Sequence, residues 1–389
     1  MTERIRVAHV ITRLILGGAQ ENTLLTVEGL QRMPDYDVVL LTGPAIGPEG
    51  ELIERARRNG VRLEIIAEMR REIHPVRDLR AFLRILCYLR RFRPHVVHTH
   101  SSKAGILGRL AARMLRVPVI IHTIHGLPFH PYEGRWRNRL YIALERLAAR
   151  WSDRIIAVAD AMIEKCVAAR VAHRTKFITI YSGMEVESFL QAGKFRQETR
   201  KELGFEPKDI VIGKIARLFE LKGHDFVLDA APDIMAKHPS VRLLFVGDGL
   251  WRQRLAEKAK RLGIGDRVTF AGLVDPSRIP AMITAMDVVV HASLREGLAR
   301  VLPQAFLCGK PVVSFDVDGA REVVIPGETG WLVPAESTAE LKEALLAAIE
   351  NPAHAEALAQ KGKALCTERF PAEIMVERIS SLYRELLRQ

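Results

Sequence analysis

Short runs of aliphatic and β-branched residues alternate with stretches whose apolar positions recur at helical spacing from end to end of this chain. That alternation limits the fold more than any other feature. The strand-like runs of the first half are Ile5–Ile11, Val38–Thr42, Leu63–Ile66, His95–His98, Val119–Thr123, Ile155–Val158 and Phe177–Ile180. The second half repeats the scheme with Ile210–Ala216, Val241–Val246, Val268–Ala271, Val288–His291 and Val312–Phe315. Near-continuous apolar strands separated by helices imply parallel sheets covered on both faces. The polar stretch Gly183–Lys194 follows the last run of the first half and marks a boundary. The expected class is therefore α/β, with two doubly wound Rossmann-like domains facing each other across a cleft, residues 1–185 and 186–369. An amphipathic pattern over Glu373–Leu387 predicts a final helix within 370–389.

A chain of 389 residues can fill two such cores. Hydrophobic content of 48% with only 6% aromatics fits a water-soluble α/β protein, and no apolar run reaches membrane-spanning length. The first residues, MTERIRVAHV, lack the long apolar core of a signal peptide, so a cytoplasmic location is expected. Cys87, Cys166, Cys308 and Cys366 are scattered without metal-ligand spacing and read as reduced core thiols. The net charge of +12 is concentrated in arginine, notably Arg77, Arg80, Arg84, Arg90, Arg91 and Arg93 beside Leu79, Phe82, Leu83, Leu86 and Leu89. This pattern fits the solvated face of an amphipathic crossover helix, or a surface that attracts anionic lipid headgroups or a polyphosphate acceptor. The segment Phe129–Trp151, aromatic and basic, suits either a bilayer surface or packing on the sheet. Zinc spacing, an RNA-binding sheet signature and a basic zipper are all missing, which argues against nucleic acid as a partner.

The stretch Ala292–Val313, ASLREGLARVLPQAFLCGKPVV, reads as loop, helix and strand after the run that ends at His291. Loops at the carboxyl edge of such a sheet face the ligand crevice. Glu296 falls in that loop, and Gly297–Ala299 is expected to open the helix with unpaired N–H groups that attract anions. Gln304 lies six residues past Leu298, about 9 Å along the axis at ~1.5 Å per residue. Arg217 ends the strand Ile210–Ala216 and Lys222 opens the next helix. Two cations there form a diphosphate site without a metal, each charge-assisted bond contributing ~1.5–3 kcal/mol. The turns VGDG, with Gly249, and AGLVD, with Val274, suit backbone contact with a base. Gly17-Gly18 permits close backbone approach after the first strand, but no G-x-G-x-x-G dinucleotide fingerprint follows any strand. His98, His100, His122 and His125 gather at two strand ends. His125 is the candidate for substrate contact, and zinc would require a third convergent ligand. Lys103 serves either a phosphate or its own loop.

In their order along the chain, GGAQ, HTHSSKAG, HTIHG, IYSGMEV, IARLFELKG, VGDG and REGLARVLPQAFLCGKPVV resemble the retaining glycosyltransferases of family 4, with the GT-B fold. The resemblance spans nearly the whole chain and points to members that assemble bacterial surface polysaccharides and glycolipids. It implies that Arg217 and Lys222 neutralise a departing diphosphate and that Glu296 holds donor sugar hydroxyls. The backbone of Gly297, Leu298, Ala299, Arg300 and Val301 would receive sugar and phosphate oxygens, and Gln304 would hold the ribose. Gly17 and Gly18 would approach the phosphates, His125 the sugar and acceptor, and the final helix would cross back to the first domain. The partners implied are a nucleoside-diphosphate sugar and a sugar or lipid-linked acceptor, with the inner face of the cytoplasmic membrane as a further contact. No cofactor and no metal are expected.

Gln304 replaces the family's usual glutamate and loses its ionised acceptor, a change of roughly 1–2 kcal/mol in nucleotide binding. Ser182 and Glu185 replace an asparagine and an aspartate, and Leu298-Ala299 replaces phenylalanine-glycine. Asp35-Tyr36-Asp37 and Asp316-Val317-Asp318 match the manganese-binding pair of the other transferase fold, but their positions beside strands read as turns. Two rival functions remain at this stage: a nucleotide-sugar epimerase of the same architecture, and a non-catalytic sugar-nucleotide-binding subunit.

Overall fold

The structure is a computed structural model and describes residues 4–46 and 50–389. Seven parallel strands form the first sheet: β1 Ile5–Arg13, β2 Tyr36–Gly43, β3 Leu63–Ile65, β4 Val96–His100, β5 Val119–Ile124, β6 Arg154–Ala157 and β7 Phe177–Thr179. Their order is β3-β2-β1-β4-β5-β6-β7. Six more form the second: β8 Ile210–Ile215, β9 Val241–Val246, β10 Val268–Gly272, β11 Val288–His291, β12 Val312–Phe315 and β13 Trp331–Val333, in the order β10-β9-β8-β11-β12-β13. Both sheets are doubly wound α/β layers, so the order reverses once in each, between β1 and β4 and between β8 and β11. Crevices at such reversals, outside the carboxyl ends of the strands, are where these folds take ligands. Strand β13 escapes the sequence reading because three residues leave no periodicity to detect.

The chain divides into an N-terminal unit, Met1–Met184 with Pro371–Gln389, and a C-terminal unit, Glu185–Phe370. The helix Ala372–Leu387 returns to the N-terminal unit. Met375, Val376, Ile379, Leu382, Tyr383 and Leu386 are buried there with Val7, Ile11, Leu24 and Val27. Gly29 is needed on the facing helix Gly18–Gln31, since a Cβ at that position would come within 2.5 Å of Val376. Tyr36 exchanges a hydrogen bond with the Ser380 hydroxyl at 2.7 Å on the same contact.

The arginine-rich helix Pro75–Phe92 and the helix Arg135–Ala149 both pack against Ser102–Met114. The first buries Ala81, Ile85 and Leu89 and leaves Leu79 and Leu83 outside. Cys166 and Cys366 are buried core thiols as expected, and burial pushes each up to about 12. Cys87, by contrast, lies exposed on the arginine-rich helix.

Candidate active site

In the C-terminal unit the loop after β8 and the loop after β11 meet at the sheet reversal. Leu221 and Gly223 both take positive φ, 62° and 68°, which turns the chain sharply on either side of Lys222. A Cβ at position 223 would lie 1.7 Å from the Ala292 carbonyl oxygen, so only glycine lets the two loops touch. The Leu294 N–H then donates to the Leu221 carbonyl at 2.8 Å. With the backbones stapled, the Lys222 ammonium reaches the Glu296 carboxylate at 2.5 Å. The Glu296 N–H donates to the Asp318 carboxylate at 2.7 Å, and the Gly319 N–H donates to the Gly297 carbonyl at 2.9 Å, which ties the same loop to the end of β12.

Burial would raise the Glu296 carboxyl, but the charge of Lys222 and the His291 imidazole outweigh it and hold the group well below the ordinary carboxylate range. His291 donates or accepts at Ser314 Oγ through Nδ1 at 3.0 Å, and its Nε2 lies 3.9 Å from Glu296. Lys214, on β8, is fully buried, and its ammonium has no hydrogen-bond partner. Burial first, and the charge of Lys222 second, push it down to about 7. Neither His291 nor Lys214 is distinguishable from core in the sequence, because both sit within apolar strands. Arg217 is exposed, with its guanidinium 5.3 Å from the centre of the Phe219 ring.

One expectation is corrected here. The helix after β11 is Val301–Leu307, so Gly297, Leu298, Ala299 and Arg300 belong to the loop and do not open the helix. Asp318 and Gly319 hold the loop through its backbone, and the helix starts at Val301 with Pro303 in its first turn, where no N–H is required. Val301 is the first helical residue, and Gln304 is half-buried one turn on. Gly249 and Val274 lie in the turns after β9 and β10. The first of these turns abuts β8, since a Cβ on Gly247 would come within 2.2 Å of the Ala216 carbonyl oxygen. Asp316 pairs with Arg321, Asp35 with Arg384 and Asp37 with Arg62 at 3.6 Å, all structural partners of turns and strand ends.

In the N-terminal unit Gly17 precedes the helix Gly18–Gln31, just past the carboxyl end of β1. Lys103 is engaged within its own surroundings, donating to Asp78 at 2.7 Å. The histidines separate by strand alternation. His98 and His100 share one face of β4 with Thr123 of β5, whereas His122 lies on the other face and meets the Thr99 hydroxyl at 2.9 Å. His9 on β1 stands opposite His98 and supplies the third convergent imidazole that the sequence spacing lacked. Ligating atoms of His9, His98 and His100 lie within 4.8 Å of one another. Each ring nitrogen of the three is hydrogen-bonded within the protein. His125, partly exposed at the end of β5, bonds His100 at 3.0 Å.

Two doubly wound units, one with an ion pair and one with a histidine cluster at its sheet reversal, define an α/β protein of the GT-B class. Residues 17–183 match the Glycosyl transferase 4-like domain, and residues 195–365 match Glycosyl transferases group 1. The chain belongs to the glycosyltransferases, of the family 4 type. It is 28% identical to the UDP-Gal:alpha-D-GlcNAc-diphosphoundecaprenol alpha-1,3-galactosyltransferase of Escherichia coli, over 85% of this chain and 84% of that protein. It is 25% identical to the capsular polysaccharide biosynthesis glycosyltransferase CapM of Staphylococcus aureus, over 83% of this chain and 85% of that one. The crystal structure of Anabaena HepE in complex with UDP and glucose superposes with a TM-score of 0.84 at 22% identity, covering 97% of this chain and 99% of that chain, a likeness of fold.

Proposed function

We propose that this glycosyltransferase moves a sugar from a nucleoside-diphosphate donor to an acceptor hydroxyl with retention of anomeric configuration, in the assembly of a surface polysaccharide or glycolipid. The observation that carries the reading is the Lys222–Glu296 pair at the reversal between β8 and β11. Departure of a diphosphate from an oxocarbenium-like centre is helped most by fixed positive charge at the leaving group. Lys222 has three N–H donors, of which Glu296 takes one, and Arg217 stands in the same loop. Glu296, kept ionised by Lys222, is an acceptor for sugar hydroxyls. The backbone of its loop at Gly297, Leu298, Ala299 and Arg300 is assigned to the sugar and phosphate oxygens of the donor, and Gln304 to the ribose. Gly249 and Val274 are assigned to the base, and Gly17 and Gly18 to the phosphates, as the sequence reading has them.

His125 is the group assigned to the acceptor hydroxyl, with the leaving phosphate taking the acceptor's proton on the same face. Lysine and arginine carry the leaving-group charge in this scheme, so a chelator leaves turnover unchanged. The direct experiment incubates the protein with UDP-, GDP- and ADP-sugars and a polyprenyl-diphosphate-linked sugar, and reads the anomeric configuration of the product by NMR. Transfer with retention, abolished in Glu296→Ala, is expected. Inverted product, or epimerised donor without transfer, defeats the proposal.

A membrane surface is proposed as the place of the reaction. On the helix Arg135–Ala149, Trp136, Leu140, Leu144 and Leu147 form one exposed apolar stripe, with Trp136 67% exposed. Arg135, Arg137, Arg139 and Arg146 rise beside it, the composition of a helix that lies in an anionic interface. No helix among the described residues is long and apolar enough to cross a membrane. Flotation with anionic liposomes, lost in Trp136→Glu, is the expected result; flotation indifferent to anionic lipid counts against it.

A further inference from the structure

Beneath the Lys222–Glu296 pair the C-terminal unit buries polar atoms that nothing satisfies. Lys214 Nζ, both ring nitrogens of His224, His291 Nε2 and Ser293 Oγ are shut away from solvent without a hydrogen-bond partner. All four side chains belong to the two segments that carry the pair. Lys214 lies on β8 and His224 just past Lys222, while His291 closes β11 and Ser293 stands just before Glu296. Each of the four is buried. An unsatisfied polar atom in a dry site is costly, so a group of them at a sheet reversal points to work done there.

Lys214 is the member of this group with the most charge to gain. In the sheet it stands beside Phe245 of β9, whose ring meets His224 edge-on with centroids 5.1 Å apart. A methionine would fill the same apolar layer. An ammonium at this place gives up its water and lies within the field of a second ammonium, that of Lys222. The carboxylate that could offset both, Glu296, is already held by Lys222 at 2.5 Å. An amine so placed favours its neutral form. Burial first and Lys222 second bring it down to about 7, with Glu296 acting the other way. The charged and titratable groups coupled to it are Lys222, Glu296, His224 and His291. Burial holds both imidazoles below their ordinary value, so neither gains charge above neutrality.

A diphosphate reverses this balance. It adds negative charge at the loops and draws on the Lys222 ammonium, which leaves Glu296 with a smaller share of its partner. Both changes favour a proton on Lys214. We propose that Lys214 is a latent third cation of the donor site, neutral in the free protein and protonated from solvent when a diphosphate binds. Fully buried, it is a positioning residue that acts through its neighbours. Its charge keeps Glu296 ionised for the sugar hydroxyls while Lys222 turns to the leaving group, and the proton returns to solvent when the nucleoside diphosphate departs. The inference rests on the donor reading given above.

Binding of UDP-glucose, GDP-mannose and ADP-glucose as a function of pH tests it, because a sugar-linked diphosphate does not titrate near neutrality. A ligand that raises the pKa of a group binds with proton uptake above the free value. Affinity for whichever probe binds is therefore expected to fall by up to about tenfold per pH unit between about pH 7 and 8.5. Lys214→Met is expected to bind about tenfold more weakly at about pH 7 and to show no such slope. Lys214→Arg, whose charge is permanent, also loses the slope but binds more tightly than Lys214→Met. A purely structural role lowers affinity by the same factor at every pH; a slope that survives in Lys214→Met therefore overturns the proposal. Wild-type binding without a slope overturns it too and leaves the donor reading standing, whereas binding of none of the three probes defeats the donor reading and the inference together. If neither variant folds, carbon-13 NMR of the lysine ε-carbons decides. One buried amine must titrate near about 7 in the free protein and at higher pH with the probe bound, and any other outcome defeats the proposal.

Discussion

The two sheet reversals of this molecule are built from opposite materials. Between β1 and β4 the groups are neutral imidazoles and hydroxyls, satisfied by one another and deeply buried. Between β8 and β11 they are a lysine, a carboxylate and a second lysine, only partly satisfied, with Lys222 and Glu296 half-buried and Lys214 fully buried. The contrast matches two kinds of chemical partner. On the proposed reading a diphosphate is met by charge that needs no reorganisation, and a hydroxyl by neutral hydrogen-bonding groups. The histidine unit also holds a deeply buried charged pair away from the cluster, where Arg109, fully buried, reaches Glu145 at 3.2 Å.

Several measurements would break or sharpen that contrast. The largest effect is expected for Lys222→Ala, a loss of roughly 100–1000-fold in kcat with the donor still bound, as for removal of a preorganised group aimed at developing charge. A smaller loss than from His125→Ala would reverse the ranking of the two reversals. Glu145→Ala leaves the Arg109 guanidinium buried without its carboxylate and should cost about 3 kcal/mol in chemical denaturation, the order found when one partner of a buried pair is removed.

Acid separates the units next. The folded pKa values of His9, His98, His100 and His122 in one unit, and of His224 and His291 in the other, lie below the ordinary 6.5. The unfolded chain therefore binds protons first as pH falls, so this stability is whole above about pH 6.5 and is lost below it, for His9 down to about 3. With four such groups against two, hydrogen-exchange protection between pH 6.5 and 5 should fall faster in the N-terminal unit. Equal decay in both would mean that the histidine cluster opens independently of unfolding. The smallest signal is a proton. Lys214, pushed down to about 7, gains a proton when a diphosphate settles near Lys222, so calorimetry of donor binding in buffers of different ionisation enthalpy should show uptake of up to about one proton. Release in place of uptake would put the anion elsewhere.

The alternation of apolar runs and helical patterns was enough to place every strand but β13, and the loops after β8 and β11 followed from it. Glu296, Lys222, Arg217 and His125 were legible as candidates because strand ends in a doubly wound sheet carry the ligand groups. Where the loop after β11 becomes helix was not legible. Asp318, twenty-two positions on, holds the Glu296 N–H and delays the helix to Val301. The same holds for His9 and Tyr383. Nothing near them in the chain distinguishes them from core, since each acquires its role from strand register and from a helix nearly three hundred residues distant from its partner His98.

By itself, then, the order of residues determined the two doubly wound sheets and the chemistry at their edges, because periodicity and composition act over neighbouring positions. Tertiary structure decided which of those groups touch and which are dry. Those properties depend on distances between elements far apart in the chain, and on the loss of water that packing imposes on lysine, carboxylate and imidazole alike.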